Sequence, residues 1–129
     1  MINGAIYGYS NKGKIVFGVS LKYDKFEHKK VIRLKNGTIN TAEIQAAEYA
    51  LRAIKPEHRD MEININTCNA YVPRMLQKND DNTYKSASEK NANEVAALRK
   101  LTELFRSVKF NIEKSDVLEI LQNEVKTAK

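Results

Sequence analysis

The chain has one cysteine, two prolines, five glycines and no tryptophan. The lone Cys68 closes no internal disulfide, so packing and hydrogen bonds have to hold the fold, and a reducing compartment suits it. No apolar run approaches the roughly 18 residues a membrane-spanning helix requires. The opening MINGAIYGYS carries neither the basic nor the apolar segment of a secretory leader. These absences set the expectation of a cytoplasmic protein (host cytoplasm if the source is viral) with no membrane partner. Histidine is scarce as well: His28 and His58 are the only two, there is no Cys/His cluster at zinc spacing, and no glycine-rich phosphate loop or G-x-S-x-G elbow occurs. A histidine-driven nucleophile relay is therefore disfavoured.

What is present is an ordinary globular balance: 129 residues, 42% hydrophobic and 29% charged. That length supports one domain, residues 1–129, with a modest core. The net charge of +6 is unevenly placed. Residues 1–36 hold Lys12, Lys14, Lys22, Lys25, Lys29, Lys30, Arg33 and Lys35 against only Asp24 and Glu27, while acids and bases balance over the remainder. Such a basic third suits a polyanion, nucleic acid foremost, or it is a solvated lysine-rich face that keeps the chain soluble. Charge alone leaves both readings open.

Periodicity divides the chain. Asn3–Tyr9, Ile15–Leu21 and Lys29–Leu34 are β-compatible runs separated by Ser10–Lys14 and Lys22–Glu27, and they predict an antiparallel meander closed by Asn36-Gly37. Ile44, Ala47, Leu51 and Ile54 then recur at helical spacing until Lys55-Pro56. Met61–Asn66 alternates as a fourth strand, Asn69–Gln77 forms a short helix and Lys78–Ser88 a polar loop. Glu89–Ser107 is a longer helix with Val95, Leu98, Leu101, Leu104 and Phe105 on its apolar face. Val108–Ile112 makes a fifth strand, and Ser115 starts a last helix carrying Val117, Leu118, Leu121 and Val125. The order β-β-β-α-β-α-α-β-α implies an α/β fold: a mixed five-stranded sheet, meander plus parallel strands, flanked by helices.

Three strings on these elements carry a resemblance. Asn40-Thr41-Ala42-Glu43-Ile44-Gln45-Ala46-Ala47 opens the first helix, Asn66-Thr67-Cys68-Asn69-Ala70-Tyr71-Val72 ends the fourth strand, and Ile6-Tyr7-Gly8-Tyr9-Ser10 lies in the first strand ahead of Phe17-Gly18-Val19. In this order they resemble the ribonuclease H family, over nearly the whole chain. The resemblance implies the ribonuclease H-like sheet. It also implies cleavage of the RNA strand of an RNA–DNA hybrid by two magnesium ions held on four carboxylates, from the first strand, the first long helix, the end of the fourth strand and the last helix. Hard divalent ions require such oxygen ligands.

Here the chain departs from the pattern. Gly8 stands at the first-strand position, and Cys68, whose soft sulfur suits magnesium poorly, stands at the fourth-strand position. Glu43 and Asp116 are retained, and no acid occurs between Ile2 and Lys14 to substitute. Each retained acid also has a structural reading. Asn40 as N-cap puts Glu43 at the third helical position of a capping box, and Asp116 is a first-turn acid or a cap with Glu119. Cys68 reads as a small buried residue, and Tyr7, Tyr9 and Tyr71 read as sheet-covering aromatics or base stackers.

Three functions follow. The first is a catalytically inactive ribonuclease H-like module that needs no cofactor. It binds nucleic acid (RNA–DNA hybrid, double-stranded RNA or single strands) through Lys12, Lys14, Lys29, Lys30, Asn40 and Asn69, or it serves as an adaptor. The second is a magnesium- or manganese-dependent nuclease whose altered site, and whose metal, rest on Glu43 and Asp116. The third is a protein–protein interaction module, viral or mobile-element accessory in kind.

Overall fold

The computed structural model describes residues 1–87 and 90–128. Strand β1 (Ile2–Asn11) turns through Lys12 and Gly13, both at positive φ (50° and 77°), into β2 (Lys14–Tyr23). Two successive positive φ values match the right-handed twist of the flanking strands, which is why so short a turn suffices. A second two-residue turn at Asp24-Lys25 leads into β3 (Phe26–Leu34), completing the antiparallel meander. Helix α1 (Ile39–Ala53) crosses back so that β4 (Glu62–Thr67) lies parallel to β1. Helices α2 (Tyr71–Leu76) and α3 (Ala92–Thr102) precede β5 (Ser107–Ile112), parallel to β4, and α4 (Asp116–Lys126) follows. The sheet order is β3-β2-β1-β4-β5, the mixed five-stranded arrangement expected.

Each face of the sheet carries its own core. On one face Ile6, Phe17, Val19, Ile63 and Ile65 pack beneath α1 and α3. Helix α1 comes close because its inner face is built from Ala42, Ala46, Ala47 and Ala50, all fully buried. On the other face α4 lays Leu118, Leu121 and Val125 over Ala5, Tyr7 and Val16. A methyl group at Gly18 would overlap Val125 and Leu121, so the missing side chain is the seat of α4.

Four sequence expectations need correction. Asn40 is not the cap of α1. The helix begins two residues earlier than that reading requires, and Thr38 accepts from the Thr41 amide while Thr41 answers the Thr38 amide. Glu43 is thus the fifth helical residue, turned inward, and takes no part in a capping box. Helix α3 stops at Thr102, so Leu104 lies past its end and is 53% exposed. The expected end of the polar loop at Ser88 and start of this helix at Glu89 lie outside the described residues, and the described helix starts at Ala92. At α4 the hydroxyl of Ser115 accepts from the Leu118 amide, so Asp116 is the first helical residue and not the cap.

Candidate functional site

Where β1 and β4 reach the start of α1, one carboxyl group lies wholly inside the protein. Glu43 Oε1 accepts a 2.5 Å hydrogen bond from the hydroxyl of Thr67, the last residue of β4. Oε2 has no hydrogen-bond partner among the described residues; the Gly8 amide favours the charged form without closing a bond to it. Desolvation outweighs both effects and pushes the Glu43 carboxyl from 4.5 up to about 7. The Thr67 oxygen also accepts from the Asn69 amide at 3.1 Å, and Asn69 Oδ1 accepts from the Tyr71 amide at 2.8 Å, which fixes the entry into α2. Asn69 Nδ2 donates to Asn40 Oδ1 at 3.5 Å. Asn40, Glu43, Thr67 and Asn69 therefore form one connected polar group.

Position 8 is tight for a side chain. A Cβ there would lie 3.0 Å from the Ile39 carbonyl oxygen, 3.1 Å from Ala42 Cβ and 3.2 Å from Glu43 Cγ. Its neighbour Tyr7 projects from the opposite face, into the α4 core, where the ring stacks on Tyr9 (centroids 6.1 Å apart) with Lys126 Nζ 5.9 Å from its centroid. Burial raises the Tyr7 phenol above its usual range, and the charges of Cys68, Tyr9 and Glu43 add to this.

Cys68 is exposed, against the expectation of a buried small residue, because the strand has ended at Thr67. Partial desolvation raises its thiol, which a hydrogen bond with Gln122 partly offsets. With Thr67 it lines a cleft of about 800 Å³ whose other wall includes Ser115, Asp116, Glu119 and Gln122. Asp116 and Cys68 thus share this opening, while Glu43 is sealed off behind Thr67. Among the described residues no three His, Cys, Asp or Glu side chains gather to hold a metal ion.

The candidate lysines do not share one surface. Lys14 Nζ donates to the carbonyl of Ala128 at the end of α4. Lys29 Nζ lies 3.0 Å from Glu124 and 3.7 Å from Glu27, so its charge is largely answered within the molecule. Lys30 projects from the other face of β3, and Lys12 sits exposed in the β1–β2 turn. Asn40 and Asn69 are close to each other but belong to the Glu43 group. Sequence reasoning passed over Thr67, Gln122 and Lys126. Only Thr67 had a signal, its place beside Cys68 in the string matched to the family; the other two are polar residues of a helix with nothing in their spacing to mark them.

The fold recurs among solved structures. One is LC11-RNase H1 in complex with an RNA/DNA hybrid, with a TM-score of 0.78 at 16% identity over 99% of this chain and 96% of that one. The fold is ribonuclease H-like. The RNase H1 of the halophilic archaeon Halobacterium salinarum superposes with a TM-score of 0.64 at 19% identity, covering 97% of this chain and 96% of that one. The foamy viral protease-reverse transcriptase, in complex with double-stranded DNA, gives a TM-score of 0.66 at 17% identity over 98% of this chain and 89% of that one. No protein-family model matches the chain, and no curated protein does. The ribonuclease H-like sheet brings Gly8, Glu43 and Cys68 to one end, with Asp116 across the cleft.

Proposed function

We propose that this ribonuclease H-like domain binds nucleic acid without cleaving it. The observation that carries the reading is the isolation of Glu43: a fully buried acid whose neighbours at the sheet end are a phenol, a thiol and a hydroxyl. A pair of magnesium ions needs several hard, charged oxygens at close range. One sealed carboxyl group, a soft sulfur and an exposed aspartate on the far wall of the cleft do not fit such a pair. The binding half of the proposal is supported by the fold shared with a protein held on an RNA/DNA hybrid and another on double-stranded DNA, and by the net charge of +6.

One observation favours a second reading. A carboxyl group titrating near 7 is suited to general-base work, and Asp116 lies in the neighbouring cleft. A nuclease using Glu43 and Asp116 with magnesium or manganese therefore stands as the competitor. The deciding experiment incubates the protein with labelled RNA–DNA hybrid, double-stranded RNA and single strands, in magnesium and separately in manganese, and follows binding and cleavage together. Binding that weakens with salt and leaves the strands intact is the expected result. Metal-dependent cleavage lost in Glu43→Gln would overturn it in favour of the nuclease; no binding at low salt would remove nucleic acid altogether.

A further inference from the structure

Away from the sheet end, a groove of about 680 Å³ opens between β3 and α1. Its floor is aromatic: Phe17 and Tyr49 meet at 6.3 Å between centroids, and His28 stacks on Tyr49 at 5.9 Å with 17° between planes. Two acids stand over it, Glu48 from α1 and Glu94 from the first turn of α3. Glu48 has a side chain only 15% exposed, and Arg52, itself 67% exposed, answers it from the outside at 3.3 Å. Desolvation raises the Glu48 carboxyl despite Arg52, and the charge of Glu94 raises it further. The buried Nε2 of His28 has no partner among the described residues. An aromatic wall, two mutually repelling carboxylates and an imidazole nitrogen lacking a partner are complementary to a planar cation with several N–H donors. A guanidinium group has that shape and those donors, and it stacks on rings as ammonium does not.

The groove lies beside an open sheet edge. β3 pairs only with β2, so its outer backbone groups have no strand partner among the described residues. Side chains alternate along β3: His28 and Ile32 line the groove, while Val31 packs on the opposite face toward α4, the face that also takes Lys29 and Arg33. A peptide strand added to this edge would set every second side chain over the groove and the intervening ones beside Lys29 and Arg33. Lys30, which shares the face of His28 and Ile32, and Arg52 at the rim both oppose a densely basic ligand.

We infer that the β3–α1 groove takes an arginine side chain presented by an extended partner peptide that pairs with β3 and carries acidic residues on either side of that arginine. The arginine stacks against Tyr49 and His28 and donates to Glu48 and Glu94. With the arginine opposite Ile32, one flanking acid faces Arg33 and the other lies opposite Val31, while Lys29 is already held by Glu124 and Glu27. None of the groove residues belongs to the sheet end, although Lys29 and Lys30 on β3 are also candidate nucleic-acid contacts.

The test titrates the protein with a short synthetic strand-forming peptide bearing one central arginine between two glutamates. Binding is read by fluorescence anisotropy and by amide chemical shifts of the labelled protein. Shifts confined to β3, α1 and the start of α3 are expected. A loss of at least about tenfold in affinity is expected when the arginine is replaced by glutamine. A similar loss is expected in the Glu48→Gln/Glu94→Gln variant, whose conservative amides keep shape and whose fold is checked by thermal melting. Binding indifferent to both changes, shifts located elsewhere, or no binding would overturn the inference. So would free arginine that saturates the groove as tightly as the peptide, because the partner strand would then contribute nothing.

Discussion

A carboxyl group without access to water changes the pH dependence of the whole fold, and Glu43 is such a group. The folded chain holds its proton up to about pH 7, the unfolded chain only to the ordinary value of 4.5. Below about 4.5 both states are protonated and Glu43 costs nothing. As pH rises from there toward 7 the folded state becomes progressively disfavoured, with a full cost on the order of 3 kcal/mol at higher pH. Glu43→Gln keeps an acceptor for Thr67 and removes the charge. Urea midpoints at pH 5 and pH 8 should therefore differ in the parent and converge in the variant, with the variant the more stable at pH 8. Identical pH profiles for the two proteins would refute the buried titration. The adjacent glycine makes a second expectation. Gly8→Asp crowds Ile39, Ala42 and Glu43 and sets a second carboxylate beside the buried Glu43, so it should lower the melting temperature and introduce no magnesium binding detectable by calorimetry.

The elements show where sequence reasoning reaches and where it stops. Start of α1 is the sharpest case: Thr38→Ala should cost about 1 kcal/mol in thermal or urea unfolding, and Asn40→Ala markedly less, because only Thr38 accepts from a first-turn amide. The box formed by Thr38 and Thr41 lacks the usual terminal glutamate, so Asn-x-x-Glu, two residues on, looked the better match. At α4, Gly18→Ala is expected to destabilise by about 1–3 kcal/mol by lifting Leu121 and Val125 from the sheet. The order of strands and helices was legible because period-two and helical spacing are local properties, and the helical crossovers that follow them dictate parallel pairing. Glu43 could be matched to a catalytic place in the sequence, but its burial could not be read, since that depends on Thr67, Gly8 and the alanine face closing together. The same applies to Lys14 and Lys29, whose partners, Ala128 just past α4 and Glu124 on it, lie 114 and 95 residues away. Leu104 was misjudged for a simpler reason: apolar spacing continues past the point where the helix stops.

For the whole molecule, charge placement decides how nucleic-acid binding should respond to salt. Each phosphate contact contributes about −0.9 to the slope of log affinity against log salt on duplex DNA. Of Lys12, Lys14, Lys29 and Lys30, two are already engaged with α4 or Glu27. Replacing all four by glutamine should then flatten the slope by about 2 rather than about 4, and it should also lower the melting temperature because α4 loses two attachments. A reduction near 4 would mean that nucleic acid pulls Lys14 and Lys29 away from the helix. Those two attachments bear on synthesis as well. While the chain is being made, Ala5, Tyr7, Val16 and Val31 are assembled early on a hairpin sheet whose covering helix, residues 116–126, does not yet exist. Until those residues are made and packed, one side of the sheet is bare and apolar. Packing of α4 is what closes that side, by laying Leu118, Leu121 and Val125 over it.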